Sequence, residues 1–188
     1  MKYLIVAMLA LSGCATTARP PADPHDAFFA RFKTLCGKTV TGRLATSDPA
    51  DAAFAGKALV ARSVGCTDSE VRIAFDVGED RSRTWIVTRI PTGLRLKHRH
   101  LLKDGSVDPV SNYGGDTTAP GTPSRQEFPV DAESREMFAR EGRSVSTTTV
   151  WAFEIEPGAA LTYELARPAE PGKPGRLFRV TFDLSAAR

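Results

Sequence analysis

No apolar run in this chain is long enough to cross a bilayer as a helix. The longest, Leu4 to Leu11, is eight residues, where a span needs ~20. Histidine is scarce, with three residues, and so is cysteine, also with three. There is no Gly-x-Ser-x-Gly elbow for a nucleophilic serine. Neither the dinucleotide fingerprint nor a lysine-ended phosphate loop occurs, and Tyr113-Gly114-Gly115-Asp116 is glycine-rich without being a phosphate cradle. No sign of charge dominates: 25 Lys and Arg stand against 22 Asp and Glu, both dispersed, and this argues against a nucleic-acid partner. Internal repeats are absent, and the one biased segment lies near the N-terminus.

That N-terminus carries a pattern of its own. Met1-Lys2-Tyr3 is a cationic lead, and the short apolar run after it ends in Leu11-Ser12-Gly13-Cys14. The order of charge, apolar stretch, small residues and cysteine resembles the lipobox of bacterial lipoproteins. The resemblance implies a signal peptide over residues 1–13 and acylation of Cys14 as the new N-terminus. Ala15, rather than aspartate, after the cysteine implies the outer membrane; the domain is expected, separately, to face the periplasm. Several acyl chains, at ~0.8 kcal/mol per buried methylene, would make the membrane a lasting partner. Residues 14–26, rich in Ala, Thr and Pro, read as a flexible tether.

With Cys14 acylated, Cys36 and Cys66 remain as an even pair in an oxidising compartment, and a disulfide between them is expected. A redox-active pair would ordinarily be spaced Cys-x-x-Cys, which is absent here. Residues 27–188 are expected to form one domain, a size that buries a substantial core. Asp23-Pro24 has the chemistry of a helix cap and first turn, and Phe28, Phe32 and Leu35 then share one helical face up to Gly37. Strands are expected over residues 38–45, 57–64 and 70–77. In the third of these, Val71, Ile73, Phe75 and Val77 alternate with Arg72, Ala74 and Asp76. A hairpin, a long polar loop over residues 103–126, and a short helix capped by Asp131 come next. A second hairpin turns at Glu156-Pro157-Gly158, and a last strand places Phe178, Val180, Phe182 and Leu184 on one face.

Eight or so alternating strands with few helices predict a mainly β protein, a single antiparallel β-barrel, because closure removes unpaired edges. A β-sandwich is the alternative. Leu35-Cys36-Gly37 followed by Gly42 resembles the opening of calycin barrels, the lipocalin-like folds, although Thr39 or Val40 stands where their tryptophan would be.

The first hairpin organises the functional reading. Taking Pro91-Thr92-Gly93 as a three-residue turn pairs Ile90 with Leu94, Thr88 with Leu96, Ile86 with His98 and Thr84 with His100. These residues would then share an inner face. Arg83, Arg89, Arg95, Lys97 and Arg99 would form an outer basic face, with Trp85 over Arg99 as a cation–π pair. Such a face suits anionic headgroups or an acidic partner, or is simply solvated and balanced by acidic neighbours.

His98 and His100 would have α-carbons ~6.6–6.8 Å apart on one strand face, a spacing that allows one divalent metal to bridge them. A third ligand would have to come from Asp104, Asp108, Tyr113, Asp116 or Glu154. The alternatives are a polar pocket lining or a pair of structural histidines. Asp104 to Asp108 is oxygen-rich but lacks the order of a calcium loop. Glu79-Asp80 and Glu154 with Glu156 are carboxylate pairs better suited to a solvated face than to acid–base work.

The segments at residues 75–85 (FDVGEDRSRTW), 94–98 (LRLKH), 104–106 (DGS), 113–115 (YGG) and 126–129 (QEFP) resemble those of an uncharacterised family of bacterial secreted proteins, over most of residues 27–185. The resemblance implies no activity. Members of that family carry a further histidine about where Leu102 stands, so a metal site here would lack a ligand. Three functions follow as expectations. The first is a lipoprotein that binds a small ligand or envelope component without catalysis. The second is a metal-dependent envelope enzyme built on His98 and His100. The third is a structural or assembly lipoprotein acting through its basic face. A cavity favours the first, convergent acids near the histidines the second, a filled interior the third.

Overall fold

The computed structural model describes residues 23–172 and 174–186. The expected signal peptide, Cys14 and most of the tether lie outside the described residues. Helix α1 (Pro24–Phe32) starts where Asp23 accepts a hydrogen bond from the His25 amide, so the last residues assigned to the tether are already helical. Ten strands follow: β1 (Thr39–Leu44), β2 (Leu59–Cys66), β3 (Glu70–Val77), β4 (Asp80–Ile90), β5 (Gly93–His100), β6 (Tyr113–Asp116), β7 (Arg125–Pro129), β8 (Val150–Glu156), β9 (Ala160–Arg167) and β10 (Arg176–Asp183). Helix α2 (Ala132–Arg140), capped by Asp131, lies between β7 and β8.

The strands form a single antiparallel sheet in the order β6-β5-β4-β3-β2-β1-β10-β9-β8-β7. Strands adjacent in sequence pair, except β6 with β7, and β1 pairs with β10, so the meander curls into a nearly closed barrel. Its seam lies between β6 and β7, where the Asp131 amide donates to the Gly114 carbonyl at 2.9 Å. The expected β-barrel is therefore observed, with two more strands than the pattern suggested. Both additions, β6 and β7, lie in or at the end of the stretch expected to be a long loop.

β6 was hidden because Tyr-Gly-Gly-Asp has almost no strand propensity. Its glycines are required by close approach. A Cβ on Gly114 would sit 1.8 Å from the Leu96 carbonyl oxygen, and one on Gly115 would sit 1.7 Å from that of Pro129.

One end of the barrel is stoppered by α1, whose Phe28, Phe29 and Phe32 are fully buried, with Phe32 edge-on to Phe153 at 5.1 Å. Cys36, just past this helix, is bonded to Cys66 at the end of β2, with α-carbons 6.1 Å apart. The expected disulfide is thus present and ties the stopper's exit to the wall. Replacing both cysteines with serine should cost roughly 3–4 kcal/mol in the loop-entropy model. A urea midpoint unchanged by the substitution or by reductant would contradict that role.

The first hairpin differs from expectation in its register. Ile90 pairs with Gly93, so the loop is only Pro91-Thr92, and Val87 opposes Leu96, Trp85 opposes His98, and Arg83 opposes His100. The two-residue loop shifts β4 by one position, and in a strand one position exchanges the faces. Leu94, Leu96 and His98 point inward as expected, and Arg95 and Arg99 outward. In β4, however, Trp85 and Val87 are the buried residues, and Thr84 and Ile86 sit opposite Arg99 and Lys97. The expected Trp85–Arg99 pair does not form, since Trp85 is in the core, stacked on Phe75 at 4.6 Å and Tyr163 at 4.5 Å.

Candidate ligand-binding site

Away from α1, the strand ends open onto a cavity of about 260 Å³. Inward side chains of β3, β4, β5, β6, β9 and β10 make its walls, and Phe54, from the β1–β2 connection, closes one side. The rings of Phe75, Trp85, Tyr113, Tyr163 and Phe178 face it, with Arg83 and Arg176 toward the rim. A smaller hollow of about 160 Å³ adjoins it, sharing His100, Tyr113 and Leu165 and adding Asp108, Phe138, Arg143 and Trp151. Trp151 leaves its buried indole N–H without a hydrogen-bond acceptor.

The register puts His98 at the centre of this wall. Its Nδ1 lies 3.2 Å from the Tyr113 carbonyl and its Nε2 2.8 Å from the Tyr163 hydroxyl. A carbonyl only accepts, so Nδ1 carries the proton and Nε2 accepts from the tyrosine O–H. The ring is stacked on Tyr113 at 4.7 Å and lies 5.0 Å from Trp151. Complete burial drives its pKa down to about 3, so His98 is neutral at physiological pH.

His100 is only partly buried. Its Nε2 lies 3.1 Å from the Tyr113 hydroxyl, and burial together with the nearby Arg83 cation lowers its pKa. Burial pushes the Tyr113 hydroxyl up to about 12 and raises that of Tyr163, so both phenols keep their protons. Neutral imidazoles and phenols therefore face one another, and the formal charge on the wall comes from arginine.

The two guanidiniums are held from behind. Arg83 donates to Asp80 at 2.6 Å and lies 5.7 Å from the Phe54 ring centre. Burial works against ionisation of Asp80, but bonds from Ser82 and Arg83 outweigh it and hold that carboxyl at about 2. Arg176 pairs with the buried Asp51 and lies 5.9 Å from the Phe178 ring. Its Nη1 is 3.3 Å from Asp48 Oδ2 but makes no hydrogen bond.

Of the residues proposed for a ligand or metal, His98, His100 and Tyr113 come together, and Asp108 reaches the adjoining hollow. Asp104 does not: it is exposed in the β5–β6 connection, accepting from Ser106. Asp116 is committed to Arg95 outside the barrel, and Glu154 faces Arg125 at 3.6 Å. Among the described residues no group of three or more His, Cys, Asp or Glu is placed to hold a metal ion. Both nitrogens of His98 are, besides, engaged by protein atoms.

The proposed basic face also divides. Arg83 turns to the cavity, and Arg89 packs at 5.3 Å from the Phe29 ring while pairing with Asp26. Only Arg95, Lys97 and Arg99 share the outer face. Arg95 forks onto Asp116 at 2.6 and 2.8 Å, and Lys97 reaches Asp131 and Glu133 at 2.8 and 3.2 Å. The strip is therefore largely neutralised by its own neighbours.

Sequence reasoning missed Phe54, Tyr163, Phe178 and Arg176 as site residues. Tyr163 and Phe178 had a signal, since each is a large ring on the inner parity of a strand. Phe54 and Arg176 sit in or beside irregular connections, where no periodicity marks them. Comparison with known proteins returns no matching family model, curated protein or solved structure.

Proposed function

We propose that this chain is an outer-membrane lipoprotein, anchored through acylated Cys14 and facing the periplasm, whose barrel binds a small ligand or cell-envelope component without catalysing its conversion. The observation that carries the binding role is the aromatic cavity at the open end, which a purely structural barrel would fill with side chains. Its neutral, mutually bonded histidines and phenols suit recognition by stacking and hydrogen bonding. The anchor rests on the lipobox resemblance, and membership of the secreted family on the shared segments. Among the described residues no helix is long and apolar enough to span a membrane, and the anchor requires none.

Two measurements test this. Wild-type protein should carry acyl mass and stay with membranes through a salt wash, whereas Cys14→Ser protein should be extractable without detergent. Wild-type protein without acyl mass that washes off in salt would end the anchoring half. Native mass spectrometry of the wild-type protein should reveal a non-covalent small-molecule mass lost on unfolding. Bare protein carrying stoichiometric metal would instead support the enzyme centred on His98 and His100.

A further inference from the structure

We propose that the cavity selects a small aromatic carboxylate, its ring lying among Trp85, Tyr113, Tyr163 and Phe178 and its acid group meeting Arg83 and Arg176; this rests on the binding role proposed above. The lining favours an anion through its directed N–H donors rather than through net charge, since Asp80, Asp48 and Asp51 balance the two guanidiniums from behind. The cavity walls carry two guanidiniums and no carboxylate. The acids that pair with those arginines, Asp80, Asp48 and Asp51, approach from outside the lining and serve to orient them.

Donors remain for a ligand. A guanidinium presents five N–H groups in a rigid fork. Arg83 gives one hydrogen bond, to Asp80, and buried Nη1 of Arg176 gives none. That nitrogen is sealed from the cavity beside Asp48, so the donors a carboxylate would take are the other N–H groups that Asp80 and Asp51 leave free on the two forks.

A cationic ligand is disfavoured by the same geometry. An aromatic cage does attract ammonium groups, but here the rings of Phe54 and Phe178, 4.6 Å apart, already have Arg83 and Arg176 beside them. The histidines add no negative charge, and the phenols stay protonated. The body of the ligand follows from size and walls. About 260 Å³ is at the small end of ligand cavities, and ring surfaces reward a flat partner over a flexible chain.

The test is calorimetric titration of the full-length protein in detergent at pH 8 with indole-3-acetate, neutral indole, cationic tryptamine and hexanoate. Indole-3-acetate should bind at least tenfold more tightly than each of the others. Arg83→Met should erase most of its advantage over indole, with the fold checked by circular dichroism. Arg176→Lys keeps the charge opposite Asp51 but loses the fork, and should weaken the same probe about tenfold.

Indole binding as tightly as indole-3-acetate, with Arg83→Met changing nothing, would overturn the inference and leave the binding role intact. Hexanoate equalling the aromatic acid would overturn its aromatic half, and tryptamine binding best would overturn its sign. If none of the four binds, the inference falls, and the native mass spectrum alone decides the small-ligand reading. The wild-type comparison decides these outcomes even if a variant misfolds.

Discussion

Gly115→Ala is expected to destabilise the barrel by about 3 kcal/mol or more, at the upper end of what overpacking costs. The added Cβ would meet the Pro129 carbonyl oxygen at 1.7 Å and the Asp131 amide nitrogen at 3.3 Å. Both are main-chain atoms, so no rotamer change relieves the clash and the β6 and β7 segments must part. The bond from the Asp131 amide to the Gly114 carbonyl would go with them, and it bridges the seam of the meander. The cost is purely one of approach, because Gly115 has no positive φ. Gly65→Ala is the control: its Cβ would meet nothing closer than the aliphatic part of Arg72 at 3.4 Å, and the change should cost under ~1 kcal/mol. Urea unfolding of the two variants checks this. Equal midpoints would mean that the seam is not tightly closed. Because β6 also carries Tyr113, Gly115→Ala should weaken ligand binding before it unfolds the protein.

The parts of this fold legible in sequence are those where one physical requirement acts alone. Val71, Ile73, Phe75 and Val77 of β3, and Phe178, Val180 and Phe182 of β10, alternate because one face meets the core, and all are buried. The same holds for Leu94, Leu96 and His98. The faces of β4 are not legible in the same way, because two requirements conflict there. Arg83 and Arg89 share the parity of Trp85 and Val87, which suggested a wet face. In the barrel these arginines lie toward opposite ends of β4, where they find Asp80 and Asp26. Only the central positions of a barrel strand must be apolar, so the arginines flanking Trp85 and Val87 were compatible with an inward face.

The site was half legible for a related reason. Strand spacing marks His98 and His100 as a pair, with Tyr113 one of five possible third ligands, and the barrel brings these three together. The polar groups that engage His98, the Tyr163 hydroxyl and the Tyr113 carbonyl, are long-range partners that no spacing reveals. They also change what the histidine does. An imidazole with a free lone pair is a ligand or base, whereas one donating to a carbonyl and accepting from a phenol is a fixed part of the wall.

That fixed histidine makes the barrel acid-sensitive. In the unfolded chain His98 has a pKa near 6.5; in the fold burial lowers it to about 3. Below pH 6.5 the unfolded state takes up a proton that the folded state refuses, so stability falls as pH falls through that window. Carried to pH 3, the loss from this one group is about 4 kcal/mol, and its slope cannot exceed ~1.4 kcal/mol per pH unit. His100, also lowered, acts in the same direction, and Lys97 opposes protonation of His98 from the same strand. The carboxyls held low by partners, among them Asp80, Asp131 and Glu164, contribute nearer pH 4 and below. His98→Gln isolates the effect, because an amide can donate to the Tyr113 carbonyl and accept from Tyr163 without titrating. Between pH 7 and pH 5 wild-type protein should lose about 2 kcal/mol that the glutamine variant keeps, measured by urea unfolding at each pH. If both lose the same amount, His98 is protonating in the folded state. Its Nε2 would then no longer accept from the Tyr163 hydroxyl, and the neutral wall assigned to the cavity would be wrong.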